Sequence, residues 1–145
     1  MIGLLQRVSH TSVTVDSETI GEIERGLLVL VAVHRNDSER DVARLAERIL
    51  QFRVFPDAGG RMNRSLVDEG LGLLLVPQFT LVADTNKGTR ASFTKAAPPE
   101  MGAALFDQLV TTCRKSLAVV QTGRFGANMQ VSLVNDGPVT FWLET

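Results

Sequence analysis

The chain holds few of the side chains that usually perform chemistry at neutral pH. It has two histidines, His10 and His34, and one cysteine, Cys113. These residues form no H-E-x-x-H or C-x-x-C motif, and the sequence contains no G-x-S-x-G elbow, P-loop or dinucleotide fingerprint. General acid–base catalysis relies on groups that titrate near the operating pH. We therefore expect no metal site and no cofactor. If the protein is an enzyme, its side chains transfer few protons.

Two short motifs expose the main chain instead. In PQFTL, Pro77 to Leu81, a proline interrupts an apolar run that begins at Gly72. Proline gives no donor to a strand ladder and keeps the preceding residue extended. We therefore expect the ladder to end here, with free N–H groups beside Gln78 and Thr80 of the kind that stabilise an oxyanion. A simple strand bulge is the alternative interpretation.

The second motif, NDGPVTFW, spans Asn135 to Trp142. Asn, Asp, Gly and Pro are concentrated at its start, and such residues favour tight turns. A turn without any function explains the spacing equally well. Glycine before proline also lets the main chain approach a ligand closely, because glycine has no Cβ.

A basic segment, DTNKGTRASFTK, runs from Asp84 to Lys95 and carries Lys87 and Arg90 besides its last lysine, against one acidic residue. Such cations contact phosphates in nucleic-acid-binding proteins. Loops of this composition also occur simply because they are well solvated, so both interpretations stay open. Lys87 and Arg90 are the candidate phosphate contacts.

Periodicity predicts a domain dominated by strands, with two main helices. The predicted strands cover residues 3–8, 12–15, 26–34, 52–55, 72–81, 119–125, 129–133 and 139–143. The predicted helices cover residues 38–51 and 99–116. Ser38 with Asp41 provides a capping box for the first helix, and Pro98 and Pro99 open the second.

The length of 145 residues fits one domain, residues 1–145, with a substantial core. No apolar run approaches the roughly 18 residues of a membrane span, and the start of the chain lacks a secretory signal pattern. A single cysteine suits a reducing cytoplasm. The net charge of −1 argues against binding of long duplexes such as DNA, while it permits a small nucleic-acid footprint. We expect a cytoplasmic protein without membrane association.

Three segments, taken in order, resemble D-aminoacyl-tRNA deacylase, a chiral proofreading enzyme. They are MIGLLQRV at the start, PQFTL in the middle and TGRFGANMQVSLVNDGPVTFWLE at the end, so the resemblance runs from Met1 to Glu144. The family has two hallmarks, a Ser-Gln-Phe-Thr motif and a Gly-Pro-Val-Thr motif in which the Gly-Pro bond is cis. The second motif is complete here as residues 137–140.

The resemblance implies a homodimer of α+β subunits, each with three β/β/α layers of antiparallel and mixed sheets. Each active site would be completed by the partner subunit's Gly137–Pro138 turn, which Arg7 would hold in place. The substrate would be the acceptor end of tRNA, whose CCA terminus carries a D-amino acid as an ester. Glycine mischarged on tRNA(Ala) would also be cleaved, and L-aminoacyl-tRNA would be rejected by the main-chain carbonyl of the turn.

The resemblance also assigns roles to individual residues. Gln78, Phe79 and Thr80 would form the catalytic site, and Pro77 and Met129 would contact the substrate. The 2′-hydroxyl of the terminal ribose would assist hydrolysis, while the protein orients the ester and stabilises negative charge. This implied mechanism agrees with the lack of a suitable base in the sequence.

Two positions depart from the family pattern: Pro77 replaces the family serine, and Ala91 replaces a usual proline. An animal branch that removes alanine from the wrong tRNA also has Pro-Gln, but it lacks the phenylalanine retained here as Phe79. Three alternatives therefore stay open. The chain is a non-catalytic homodimer that binds RNA ends or an amino-acid-like ligand, a relaxed deacylase acting on L-alanyl-tRNA, or an esterase with Thr80 as nucleophile, which lacks an adjacent base.

Overall fold

The computed structural model describes residues 1–86 and 88–145. Within them the elements are β1 (Ile2–Val15), β2 (Glu18–Ile23), β3 (Gly26–Ala32), α1 (Glu39–Gln51), β4 (Phe55–Pro56), β5 (Met62–Arg64), α2 (Leu66–Glu69), β6 (Gly72–Pro77), α3 (Pro99–Arg114), β7 (Val120–Thr122) and β8 (Gln130–Glu144). A 3-10 turn at Phe79–Val82 follows β6. None of the helices in the described ranges has the length and hydropathy to cross a membrane.

The central strands β3 and β6 are parallel neighbours that are buried on both faces. Alternate side chains of a strand point to opposite faces, so each strand feeds two apolar clusters. Leu27 and Val29 of β3 pack with the helices, whereas Leu28 belongs to a second cluster on the other face, with Leu74 and Val76 of β6. Burial on both faces explains why these strands are continuous apolar runs without polar alternation.

The long strand β1 holds the sheet together by pairing with three others. Its first half pairs with β3 and its second half with β2, while β8 runs along the opposite edge of both halves. The sheet folds so that β2 lies against β6 and β7. The three-layer α+β prediction is confirmed, although both β layers belong to one six-stranded sheet, and β4 and β5 form a separate small one.

The helices α1 and α3 pack against each other and cover one face of the sheet. Helix α1 begins after Ser38 and ends at Gln51 as predicted, and the Ser38 N–H donates to the Asp41 carboxylate at 2.9 Å. Helix α3 ends at Arg114, two residues before the predicted end. Cys113 is fully buried on α3, and this burial raises the pKa of its thiol to about 12, which leaves it a packing role.

Several strand boundaries differ from the prediction. The predicted strands 3–8 and 12–15 are one strand because Thr11 is buried between them and its hydroxyl donates to the Ser132 carbonyl at 2.8 Å. The run 72–81 leaves the ladder at Pro77 and continues as the 3-10 turn, so the predicted strand is wrong beyond that residue. Strands β2 and β5 were not predicted, since their segments are largely polar and exposed.

Candidate active site

Pro77 determines where β6 ends. It lies opposite Val31 in the parallel ladder, and the Gln78 N–H donates to the Val31 carbonyl at 2.7 Å. On the other side, the last hydrogen bond to the β7 chain runs from the Gly123 N–H to the Leu75 carbonyl at 2.8 Å. Because proline has no N–H, it cannot add a further bond on that side. The chain after Gly123 turns away from β6 and leaves a space between them.

This space is a cavity of about 480 Å³. Its walls come from the end of β6, the start of α3 and the segment that connects β7 to β8. The lining residues are Val76, Pro77, Gln78, Phe79, Ala97, Pro99, residues 125–129 and Val131. None of them is charged, so a polar ligand group here has main-chain and amide dipoles as its partners. The volume and the mostly apolar walls are typical of a site for a small molecule or for the end of a larger one.

Among the residues that the structure describes, the 3-10 turn beside the cavity begins with two N–H groups that have no main-chain acceptor. Its first hydrogen bond runs from the Leu81 N–H to the Gln78 carbonyl at 3.2 Å. The N–H groups of Phe79 and Thr80 come before this bond and have no partner within the turn. The Gln78 N–H is occupied by the sheet, so within the described part of the turn the available main-chain donors are those of Phe79 and Thr80.

The first two residues of the turn, Phe79 and Thr80, are exposed, whereas Val82 at its end is buried. Gln78 Nε2 donates to Thr80 Oγ1. The Phe79 ring is 56% exposed and lies against Phe93, with ring centroids 5.0 Å apart. Gln78 and Phe79 line the cavity, whereas Thr80 does not. The hydroxyl of Thr80 therefore interacts with its neighbour Gln78 and lies outside the cavity wall.

Met129 forms part of the opposite wall and is held in place by its surroundings. The Arg124 N–H donates to Met129 Sδ at 3.3 Å. Gly123 lies underneath, where an added Cβ would stand 2.8 Å from the same sulfur and 3.3 Å from the Pro77 ring. A side chain at position 123 would therefore displace Met129 or Pro77 from the cavity wall, so glycine is required there.

The Gly137–Pro138 turn projects from β8 opposite Arg7. Strand β8 keeps its pairing with β1 up to Asn135 and resumes it at Thr140, so residues 136–139 leave the ladder as a loop. The Gly137–Pro138 bond is cis, as the resemblance implies, and both residues are exposed.

Arg7 binds one side of this loop. Its Nε donates to the Asp136 carbonyl at 3.0 Å and lies 3.3 Å from the Asp136 carboxylate. Its Nη1 donates to the Val54 carbonyl at 2.6 Å. Arg7 thus ties the loop to the segment before β4. Arg7, Gly137 and Pro138 lie together, but none of them lines the cavity of their own chain.

The basic loop lies next to the 3-10 turn. Asp84 and Ser92 exchange two main-chain hydrogen bonds, of 2.8 and 3.0 Å, which close the loop, and Phe93 packs on Phe79. Arg90 is exposed within the loop. Lys87, the other candidate phosphate contact, lies outside the described residues.

Neither histidine lines the cavity. His10 pairs with Glu22 at 2.7 Å, and His34 Nε2 lies 3.4 Å from the Glu144 carboxylate. The described ranges contain no group of three His, Cys, Asp or Glu side chains placed to hold a metal ion. The site therefore offers main-chain donors, an amide and aromatic surface to a ligand.

Sequence reasoning missed several cavity residues. Ala97 and Pro99 enter the wall because the chain crosses the cavity on its way into α3, and residues 125–128 enter because they leave the sheet after β7. The only local signal was the glycine pair Gly123 and Gly126, which interrupts a predicted strand. The remaining positions depend on tertiary packing.

Comparisons with known proteins identify relatives of the whole chain. The family model described as D-Tyr-tRNA(Tyr) deacylase matches residues 4–144. The D-aminoacyl-tRNA deacylase of Thioalkalivibrio sulfidiphilus is 63% identical over 144 residues, which cover 99% of this chain and 97% of that protein. The structure named c-Myc DNA Unwinding Element Binding Protein is 36% identical with a TM-score of 0.95, and the match covers 100% of this chain and 99% of that one. A probable eukaryotic D-amino acid tRNA deacylase has the same fold, with a TM-score of 0.89 at 18% identity over 99% and 98% of the two chains.

Proposed function

The chain belongs to the D-Tyr-tRNA(Tyr) deacylase family, and we propose that it hydrolyses the ester between a D-amino acid and the terminal adenosine of tRNA. The products are the free D-amino acid and tRNA. Because aminoacyl-tRNA is the substrate of translation, the protein acts in the cytoplasm on the aminoacylated CCA end.

The observation that carries this proposal is the turn that begins beside the uncharged cavity. Phe79 lines the cavity, Thr80 follows it just outside the lining, and among the described residues neither N–H has a main-chain partner within the turn. Ester hydrolysis develops negative charge on the carbonyl oxygen, and two main-chain donors stabilise that charge. Water attacks the carbonyl carbon, and the ribose 2′-hydroxyl assists departure of the neighbouring 3′-oxygen. The protein orients the ester, and Gln78, Pro77 and Met129 confine the aminoacyl group.

We further propose that a second copy of the chain completes the cavity. The Gly137–Pro138 turn is exposed and lies away from its own cavity. The adjoining strand β8 pairs only with β1 among the described residues and exposes Leu133, Val134 and Trp142. A two-fold dimer that buries these side chains places each turn in the partner's cavity. The turn carbonyl then excludes an L side chain and admits D-amino acids and glycine.

The direct test is hydrolysis by the purified protein of one amino acid supplied as its D- and L-aminoacyl-tRNA. The expected result is rapid cleavage of the D ester and of glycyl-tRNA, slow cleavage of the L ester, and full activity in EDTA. Cleavage of L-alanyl-tRNA at a similar rate would identify a relaxed deacylase. Binding of both without hydrolysis, or loss of activity in EDTA with recovery in zinc, would contradict the proposal.

The proposed dimer can be tested by introducing a charged side chain on the exposed face of β8. Val134 is 58% exposed, and Val134→Glu should shift the protein from dimer to monomer and lower D-aminoacyl-tRNA hydrolysis at least about tenfold, because burying an unpaired carboxylate is costly. Sedimentation and activity are measured together. Val67→Glu is the matched control, since Val67 is 43% exposed on α2 and should change neither. A Val134→Glu dimer with full activity would disprove the arrangement.

Arg90 should contact a tRNA phosphate. The Arg90→Ala variant is expected to bind tRNA more weakly. Its plot of log affinity against log salt should also be less steep by about 0.7, the value for one lost phosphate contact on a single strand. Arg40→Ala on α1 provides the control, because Arg40 is exposed on a helix that does not line the cavity. Equal salt slopes for both variants would show that Arg90 contacts no tRNA phosphate and that the loop is basic only because it is solvated.

A second candidate is a nucleic-acid-binding module without hydrolysis. One observation favours it: the solved relative at 36% identity is named for binding a DNA unwinding element. Titration with single-stranded DNA and with uncharged tRNA distinguishes the candidates. Tighter binding of DNA than of tRNA, together with no D-ester hydrolysis, would favour the module over the deacylase.

A further inference from the structure

The Asn135 side chain bridges the two ends of the loop that carries Gly137 and Pro138. Its Oδ1 accepts a hydrogen bond from the Val139 N–H at 2.9 Å. Its Nδ2 donates to Thr140 Oγ1 at 2.7 Å. One planar amide at the start of the loop therefore binds two consecutive residues at its end, accepting from the Val139 N–H and donating to Thr140 Oγ1.

These bonds replace the ladder where it is interrupted. Residues 136–139 leave the ladder with β1, so the Val139 N–H has no strand partner there. An N–H left unpaired in a half-buried position destabilises the local structure, and Asn135 supplies the missing acceptor. Gln6 of β1 adds a third, weaker contact, from its Nε2 to Thr140 Oγ1 at 3.5 Å.

The loop is thus held from two sides. Arg7 binds its first residue, Asp136, through the main-chain carbonyl. Asn135 and Thr140 bind its last residues from the opposite end. The Arg7 contact alone leaves the end after Pro138 without a side-chain restraint. A turn that must exclude a side chain sterically needs both ends fixed, because a displacement of about 1 Å weakens such a filter.

We propose that Asn135, with Thr140 as its partner, is a positioning residue that fixes the Gly137–Pro138 turn and thereby determines the preference for D over L substrates. This inference rests on the proposed deacylase function. Asn135 does not line the cavity of its own chain and binds the end of the loop, so it acts on selectivity through the turn. Its loss should raise L-ester cleavage more than it lowers D-ester cleavage.

The test compares Asn135→Leu with Asn135→Asp. Leucine has a similar size but makes neither hydrogen bond. Aspartate keeps the acceptor for the Val139 N–H and can accept from the Thr140 hydroxyl. The expected D-to-L rate ratio falls about tenfold in Asn135→Leu and returns to within about twofold of the original in Asn135→Asp. Hydrogen exchange at the Val139 amide should accelerate in the first variant and not in the second.

Thermal unfolding establishes whether each variant is folded, and Thr140→Val replaces Asn135→Leu if the latter does not fold. Thr140→Val removes the acceptor for Asn135 Nδ2 and should lower the same ratio severalfold. An unchanged D-to-L ratio in folded Asn135→Leu, with an active original protein, would overturn the inference while leaving the deacylase proposal intact. An original protein that hydrolyses no D ester would overturn the proposed function itself, and the selectivity role of Asn135 with it.

Discussion

D-aminoacyl-tRNA hydrolysis should fall by about a hundredfold or more when the terminal adenosine lacks its 2′-hydroxyl, in the range of a lost general acid–base contribution. The cavity supplies donors but no base. His10 Nε2 bonds Glu22, and His34 Nε2 lies 3.4 Å from the Glu144 carboxylate, and neither histidine lines the cavity. Removal of the ribose hydroxyl should therefore remove the main proton-transferring group of the site.

The Thr80→Val variant tests whether a hydroxyl of the protein contributes as much as the ribose 2′-hydroxyl. The Thr80 hydroxyl accepts from Gln78 and does not line the cavity, so its loss should lower the single-turnover rate by less than about tenfold. Both rates are measured with saturating protein on the same D-aminoacyl-tRNA. The reverse order, with a severe effect of Thr80→Val and a mild effect of the deoxy substrate, would make Thr80 the nucleophile and refute RNA assistance.

Gly137→Ala should lower D-ester hydrolysis between about tenfold and a hundredfold. Gly137 has a φ of +140°, which residues with a Cβ rarely adopt. An alanine Cβ at this position would stand 2.6 Å from Val139 Cγ2 and 2.8 Å from the Val139 nitrogen. The main chain must shift to relieve that contact, and the turn then leaves the position that we propose for it in the partner's cavity.

The control for this change is Gly60→Ala. Gly60 also has a positive φ, of +79°, but an added Cβ meets nothing within 4 Å there. It should cost some stability and leave the D and L rates unchanged. Activity and thermal unfolding are recorded for both variants. Full activity in a folded Gly137→Ala would show that the turn is not part of the site.

The local parts of this site could be predicted from the sequence because their causes are local. The end of β6 follows from the missing N–H of Pro77, and the start of α1 follows from the Ser38–Asp41 capping box. No local sequence signal of this kind predicts the polar strand β2. It forms because β1 continues past Thr11 and offers a free edge on which Ile20 and Ile23 reach the second apolar cluster.

The cavity could not be predicted as a whole for the same reason. Phe125 and Asn128 become wall residues only because the β7 chain separates from β6, and Phe93 becomes a neighbour of Phe79 only because the basic loop folds back. The loop around Gly137 was predicted as a turn before a strand. It lies inside the long strand β8, because pairing with β1 stops at Asn135 and resumes where Thr140 lies opposite Gln6. These partners are remote in sequence.

The pairing of β1 with β8 also affects how the chain is made. Ile2 lies opposite Glu144, so β1 acquires its neighbour on one edge only after β8 has been synthesised. Strands β2 and β3 can join β1 early, but the other edge of β1 stays open until β8 emerges. Contacts between such distant segments fold slowly, and open strand edges pair readily with other chains. The nascent chain therefore depends on protection of this edge, and a truncation that removes β8 should yield aggregates even if all the helices form.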